Sequence, residues 1–454
     1  MVDRVDVCVI GLGVGGEEVG GRLAEAGLTV LGVEERLVGG ECPYWGCIPS
    51  KMMVRAAGLL AEGRRIDGRA GHAEVRPDWA PVARRIRDEA TDNWNDQVAV
   101  DRFTGRGGHF LRGRAELVGP GRVAVGDTVV EATRGIVISV GTAPVVPPID
   151  GLAGTPYWTN REAIEAEELP ASMIILGGGA IGLELGQVYA RFGVTVTVVE
   201  ALDRLLALEE PESSALAARV LGGDGVRIRT GVKAAGVHHD GTAFTVALSD
   251  GSDVTAERLL VATGRRPNFG SLGLAAVGLD PNARAIAVDE RMRAADGIWA
   301  VGDITGKGAF THVAMYQAGI AIRDILGQDG PPADYRALPR VTFIDPEIGA
   351  VGLTEEQARS HGLTVRVGSS PLAQSTRGWI HETGGEGFIK LVADSDRGVL
   401  VGATSAGPMG GEVLAGLAVA IHGEVPVERL RHMIYAYPTF HRATEAALRD
   451  LTAN

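Results

Sequence analysis

An α/β chain with two Rossmann-like dinucleotide-binding domains and a smaller C-terminal α+β domain is what this sequence predicts, and three observations carry the prediction. A strand, a glycine turn and a helix open the chain and lead to a second strand that ends in an acid. The same device recurs from Met173 onward. From Leu338 the pattern changes to short alternating strands followed by an apolar helical stretch.

The first device begins with the apolar run Val5 to Ile10, followed by Gly11-Leu-Gly13-Val-Gly15-Gly16, the amphipathic stretch Glu17 to Ala26, and a strand from Leu28 to Val33 that ends in Glu34. Gly11, Gly13 and Gly16 allow a tight turn and let a pyrophosphate approach a helix N-terminus. An acid about twenty residues on accepts both ribose hydroxyls. Cys8 lies inside the first strand and is expected to be an inert core thiol.

Just downstream, the run GGECPYWGCIPSK holds Cys42 and Cys47, two of only three cysteines. A regular helix would place residues five apart at about 8–9 Å between Cα atoms, too far for a disulfide. A bridge therefore requires an irregular turn, for which Gly39, Gly40, Gly46 and Pro49 supply flexibility and a break. Lys51 and nearby backbone N–H groups would hold a thiolate at low pKa. The plain alternative is two unrelated core cysteines. Tyr44 and Trp45 between them either pack or recognise a flat substrate.

In the second device, Met173 to Leu176 leads into Gly177-Gly-Gly179-Ala-Ile-Gly182, a helix through Leu183 to Phe192, and a strand Val194 to Val199 ending at Glu200. Two such sites imply two dinucleotides. Glu200 would repel a ribose 2′-phosphate, which favours NADH, while Arg204 keeps NADPH possible.

With these motifs together, the chain resembles the class I pyridine nucleotide-disulfide oxidoreductases, the flavoprotein family of dihydrolipoamide dehydrogenase, glutathione reductase and mercuric reductase. Further stretches carry the likeness: Ser139-Val-Gly141-Thr-Ala-Pro, Ala262-Thr-Gly264-Arg-Arg-Pro-Asn268, Ala300-Val-Gly302-Asp303, and Asp345-Pro-Glu347-Ile-Gly-Ala-Val-Gly352. The resemblance implies FAD in the first site, the nicotinamide cofactor in the second, and Asp303 on the FAD ribityl chain. It also implies a redox-active Cys42–Cys47 pair, and Lys51 with Glu184 as a buried ion pair beside the flavin. A C-terminal dimerisation domain, and hence a homodimer, is implied in the same way.

Residues 1–150 and 269–337 are then expected to form the FAD-binding domain, interrupted by an Arg-rich helical excursion from Ala57 to about Arg102. Residues 151–268 would bind the nicotinamide cofactor and 338–454 would form the interface domain. In the last, strands are expected at Val341 to Ile344, Val365 to Val367, Phe388 to Val392 and Val399 to Ala403, and a helix at Gly411 to His422. A net charge of −13 argues against nucleic acid or an anionic membrane as partner. No charged leader or long apolar run is visible, so a cytoplasmic enzyme is expected. Adjacent His238 and His239 offer no metal spacing.

The C-terminus departs from the resembling family, which carries a His-Pro there with a glutamate five residues after the histidine. Here the stretch reads Tyr435-Ala-Tyr437-Pro438-Thr-Phe-His441-Arg442-Ala-Thr-Glu445. A phenol with a reference pKa near 10 is a poor base at neutral pH. If Pro438 opens a helix, Tyr437, His441 and Glu445 share one face, and His441 becomes a displaced base oriented by Glu445. The alternative is a solvated histidine. The expected activity is NADH-driven reduction of a disulfide or related thiol-reactive small molecule, with a non-lipoyl substrate. Carbon–sulfur cleavage by a carboxylase-like relative that also lacks the His-Glu base, flavin-direct quinone reduction of diaphorase type, and a metal reductase are the competing enzyme classes. An FAD-containing redox sensor or a structural subunit of a larger complex is the non-enzyme alternative.

Overall fold

The computed structural model describes residues 3–267 and 269–453. Met1 and Asn454, the outer bounds of the expected domains, and Asn268, the expected end of the nicotinamide domain, lie outside the described residues.

The chain opens with β1 (Arg4–Ile10), α1 (Val14–Glu25) and β2 (Val30–Glu34). The helices α2 (Glu41–Trp45) and α3 (Cys47–Arg64) follow, separated by Gly46. After short helical pieces between 80 and 105 comes β3 (Thr128–Ile138). The second device is β4 (Ser172–Leu176), α4 (Ala180–Arg191) and β5 (Thr195–Val199), continued by α5 (Pro211–Gly223), β6 (Arg227–Arg229) and β7 (Arg258–Val261). Then come β8 (Ile298–Ala300) and α6 (Thr311–Ile325). The C-terminal part holds β9 (Pro339–Thr342), β10 (Glu347–Gly352), β11 (Val365–Pro371), β12 (Phe388–Asp394) and β13 (Val399–Gly407), with α7 (Gly410–His422) and α8 (Ala443–Ala453).

Two compact units result. The first comprises 1–50, 83–145 and 264–334, and the second 51–82, 146–263 and 335–454. In the first, β8, β3, β1 and β2 lie side by side and parallel, with Cys8 opposite both Leu31 and Ile136. A strand covered on both faces should be apolar throughout. Accordingly Val5, Cys8 and Ile10 enter one core with Val33, Ile136 and Ile138, and Val7 and Val9 enter another with Val19, Leu23 and Phe103.

In the second unit, a parallel sheet runs in the order β6, β5, β4, β7. Five antiparallel strands follow in the order β9, β10, β13, β12, β11, and α7 and α8 pack on them. The sequence reading did not anticipate β10, whose Ile-Gly-Ala-Val-Gly core has little side chain to signal a strand. The reason is contact: a Cβ at Gly349 would come within 3.0 Å of the Gly410 carbonyl, at the start of α7. The excursion expected from Ala57 also differs, since α3 is already helical from Cys47.

Candidate functional site

The first glycine turn joins β1 to α1. Gly11 has φ +88°, and a Cβ there would sit 2.5 Å from the carbonyl oxygen of Ser139, beyond the end of β3. Only glycine meets both conditions. Gly16 packs on the Gly11 carbonyl, whereas nothing lies within 4 Å of a Cβ placed on Gly13. The open face of Gly13 and the first N–H groups of α1, which no side chain caps, form an anion cradle. At the end of β2, the two Glu34 oxygens accept the N–H groups of Leu12 and Arg36, each at 2.8 Å. Burial pushes the Glu34 carboxyl pKa up against these bonds.

The second turn repeats this geometry. Gly177 has φ +111° and would drive a Cβ into the Ala262 carbonyl, Gly182 packs on the Gly177 carbonyl, and Gly179 is open. Glu200 accepts the N–H groups of Gly178 at 2.5 Å and Leu202 at 2.8 Å. Arg204, which had kept a phosphorylated cofactor in play, is bonded instead to the carbonyls of Leu206, Ala207 and Glu209 and to Ser214.

The cysteine pair is built onto the first turn. Gly39 bridges Gly13 and donates to the Leu12 carbonyl at 2.7 Å. Between the cysteines the helix is broken, since Gly46 takes φ −133° and ψ −119°. Its backbone folds back over Cys42, where an added Cβ would stand 3.2 Å from the Cys42 Cα. The break brings the two side chains within hydrogen-bond reach of each other, as free thiols. The bond to Cys47, followed by burial, raises the Cys42 pKa. Cys42 therefore favours its protonated thiol. Cys47 is the more exposed of the two, opens α3, and has its sulfur 3.3 Å from the Thr311 hydroxyl. A helix N-terminus and a hydroxyl both favour a thiolate. Tyr44 is buried with its hydroxyl on the Val38 carbonyl at 3.1 Å, which makes it a packing residue. Cys8 is fully buried and its thiol is pushed up to about 12 by burial, as an inert core thiol should be.

Gly141, Gly264 and Gly302-Asp303 come together through two residues that sequence reasoning passed over. The Thr142 hydroxyl donates to Asp303 at 2.9 Å, and Arg265 donates to the Thr142 hydroxyl at 3.0 Å and to its carbonyl at 2.7 Å. Arg265 also faces Glu41 of α2 at 3.5 Å. Their signal lay in the segments Gly141-Thr142 and Gly264-Arg265, where a polar side chain directly follows each glycine.

In the second unit, Lys51, one helical turn beyond Cys47, pairs with Glu184 of α4 at 2.6 Å. The other Glu184 oxygen accepts the Phe343 N–H at 2.8 Å, and the Lys51 ammonium stands 4.6 Å from the Phe343 ring centroid. Both ends of the buried carboxylate are thus satisfied.

The C-terminal segment corrects one expectation. Pro438 does not open a helix; residues 437–442 form turns and α8 starts at Ala443. Within these turns Phe440 is buried in one core with Tyr435, Ala443 and Leu448, its ring centroid 5.5 Å from that of His381. Tyr437, His441 and Glu445 therefore do not share a helical face. Tyr437 is 65% exposed, with the Arg442 guanidinium 5.5 Å from its ring. Glu445 pairs with Arg442 and Arg449. His441 lies against Tyr435 at 5.0 Å between ring centroids, and burial lowers its pKa. Its imidazole lines a cleft of about 550 Å³ with Arg377, Met409, Glu412 and Pro438.

Comparison with known proteins matches residues 5–318 to the family described as pyridine nucleotide-disulphide oxidoreductase and residues 338–448 to its dimerisation domain. The chain is 36% identical over 466 residues to a dihydrolipoyl dehydrogenase of Halobacterium salinarum, covering 97% of this chain and 95% of that one. It is 33% identical to a mercuric reductase of Shewanella putrefaciens, covering 95% of this chain and 78% of the relative. Among solved structures, the Cu(II) complex of the HOCl-induced flavoprotein disulfide reductase RclA from Escherichia coli superposes with a TM-score of 0.86 at 27% identity, covering 99% of each chain.

Proposed function

Since the chain belongs to the pyridine nucleotide-disulphide oxidoreductase family, whose members use FAD and a nicotinamide dinucleotide, we propose that it reduces a small disulfide or related thiol-reactive substrate through Cys42 and Cys47. Residues 1–150 and 269–337 would hold FAD, and residues 151–268 the nicotinamide cofactor. The dimerisation match, together with the exposed Val419 of α7, Met409 just before it and Ile434, supports a homodimer. Both glycine turns fit a pyrophosphate, because each has an open second glycine next to a helix N-terminus and a carboxylate at the end of the next strand. FAD, when bound, carries two electrons from the reduced nicotinamide to the sulfur pair.

The observation that carries the proposal is the helix break at Gly46, which sets two thiols side by side on the first nucleotide turn. In the reduced pair, Cys42 holds the proton and Cys47 the negative charge. Cys42 passes its proton to Cys47 along their hydrogen bond and attacks one sulfur of the substrate disulfide as the thiolate; that S–S bond breaks, and the departing thiolate takes the proton from Cys47. Cys47 then attacks the Cys42 sulfur, closes the protein disulfide and expels the second product thiolate, which takes a proton from solvent. Nicotinamide oxidation returns two electrons to the pair. The net reaction consumes one NAD(P)H, one proton and one disulfide, and yields two thiols.

The C-terminal segment favours this direction over dithiol oxidation. Oxidising a dithiol needs a base to strip its protons, but Glu445 is occupied by two arginines and does not orient His441. In the reductive direction, Cys42 brings its own proton. Anaerobic titration with NADH tests the proposal: a long-wavelength charge-transfer band at two electrons is expected, and NADH-driven turnover of a disulfide panel should exceed NAD+-driven oxidation of dihydrolipoamide. Simple flavin bleaching without that band would contradict it.

A further inference from the structure

Segment 201–210 joins Glu200 to α5 and contains a single cationic residue, Arg204. It folds onto the second glycine turn: the Leu206 N–H donates to the Gly178 carbonyl at 2.9 Å, and a Cβ on Gly178 would meet the Leu205 side chain at 2.7 Å. Arg204 is the internal staple of this loop. Its Nη1 reaches the carbonyls of Leu206 and Glu209 at 3.2 and 2.9 Å and Ser214 Oγ at 2.7 Å, and its Nη2 reaches the Ala207 carbonyl at 2.7 Å.

The far end of the loop is tied to the C-terminal strands. Glu209 makes a two-point ion pair with Arg340 of β9 at 2.6 and 2.8 Å. Glu210 meets Lys390 of β12 at 2.9 Å, each side chain 4% exposed, and accepts the Glu355 N–H at 2.7 Å. Lys390 also meets Glu212 at 2.9 Å and Glu355 at 3.1 Å. Burial alone would lower the Lys390 pKa, but the bonds to Glu212 and Glu210 lift it to about 12, so the ammonium stays charged. The neighbouring strand end carries a second arginine. Arg229 of β6 is paired with Val199 of β5, and its guanidinium is bonded to Asp250 at 2.6 Å and Ser252 at 3.1 Å.

We propose that this strap makes the second nucleotide site select the dinucleotide that lacks a ribose 2′-phosphate, with Arg340 and Lys390 as positioning residues and Arg204 and Arg229 as cations withheld from the ligand. The proposal rests on the reading that the second site takes a nicotinamide dinucleotide. Glu200 accepts a ribose diol but repels a phosphate. To offset that repulsion, either arginine would have to give up the protein acceptors it now holds. Arg204 has four and is held between the glycine turn and α5. Arg229 has two, both in an exposed turn.

Calorimetric titration of the oxidised, FAD-loaded protein with NAD+ and NADP+, together with steady-state kinetics on NADH and NADPH, tests this. Wild type should bind NAD+ on the order of 100-fold more tightly, the weight of one unmatched like-charge contact. The ion pair Arg229–Asp250 is more than a third exposed, so Asp250→Asn spares the fold while freeing Arg229. It should tighten NADP+ about fivefold, through one phosphate–guanidinium contact, and leave NAD+ unchanged. Arg340→Gln should raise KM for NADH about tenfold with kcat within about twofold, and Arg340→Lys should restore most of that. Equal affinities in wild type, or shifts in Asp250→Asn and Arg340→Gln that affect both dinucleotides alike, would overturn the selectivity. If wild type binds neither dinucleotide, the reading of the second site as a nucleotide site is itself overturned.

Discussion

The two glycine turns share their backbone geometry and differ in what is fastened to them. Each has a first glycine with positive φ against the carbonyl after a neighbouring strand, an open second glycine, and an acid that accepts a glycine-turn N–H. The first turn carries the sulfur helix: Gly39 bridges Gly13, and the stretch before α2 is pinned by Asp96, which accepts the Val38 N–H at 2.7 Å and meets Arg112 at 2.5 Å. The second turn carries a loop strapped by Arg204, Glu209 and Glu210. On the proposed function, the shared cradle would fix only that a pyrophosphate is held, and the attachments would decide which dinucleotide enters and whether its electrons find an outlet.

The largest effect that tests this division is expected from Cys47→Ser. Removing the thiolate leaves both cradles untouched, so FAD retention and dinucleotide binding should persist while disulfide turnover falls by about 10³-fold or more. Reduction of a quinone taken directly from the flavin should survive. If disulfide turnover survived as well, the sulfur pair would not be the outlet.

Gly11→Ala and Gly177→Ala put the two cradles in direct competition. Each forces a side chain into positive φ and into a backbone carbonyl, with an expected cost of about 2–4 kcal/mol. Gly11→Ala should purify with little FAD. Gly177→Ala should keep its flavin colour but lose dinucleotide binding. Flavin content per chain and NAD+ titration separate them, and loss of FAD from both variants would break the assignment of the two sites.

A smaller loss is expected for Lys51→Met, which leaves the buried Glu184 without its cation. Because Lys51 is about one-third exposed, a destabilisation of about 1–2 kcal/mol is expected rather than the full cost of a deeply buried pair. Urea denaturation measures it. Glu184→Gln should partly rescue the double variant, since an uncharged partner no longer needs the ammonium.

Where function depends on local backbone chemistry, the sequence was readable. Gly11 and Gly177 announce positive φ, Glu34 and Glu200 end apolar strands, and Gly46 signals the break that a Cys42–Cys47 pair requires. Legibility failed where the deciding contact is distant in the chain. The Thr142–Arg265–Asp303 link joins three separate segments, and no local pattern says that they meet. Lys390 reads as a lone charge in an apolar strand until Glu210, Glu212 and Glu355 surround it. The stretch after Tyr437 failed for a related reason. Spacing alone suggested a helix with a catalytic face, and only the contacts of Phe440 with Arg377 and His381, distant in the chain, show where that stretch is held instead.

The smallest expected effect concerns His441 and separates the sulfur chemistry from the C-terminal segment. Burial lowers its pKa, so the folded protein favours the neutral imidazole. By linkage, the stabilisation that the neutral form contributes is present above the unfolded value near 6.5 and is lost as pH falls through the lower folded value. His441→Gln cannot titrate, so above about pH 6.5 its stability, measured by urea denaturation, should lie within about 1 kcal/mol of wild type, and as pH falls below that value wild type should lose stability relative to it. Disulfide turnover should stay within about twofold of wild type across the neutral range, because Cys42 supplies its own proton in the reductive direction. A loss above about tenfold, with a pH profile that follows a single imidazole, would return His441 to the role of base. The C-terminal cleft would then have to be counted with the cysteine helix as part of the catalytic apparatus.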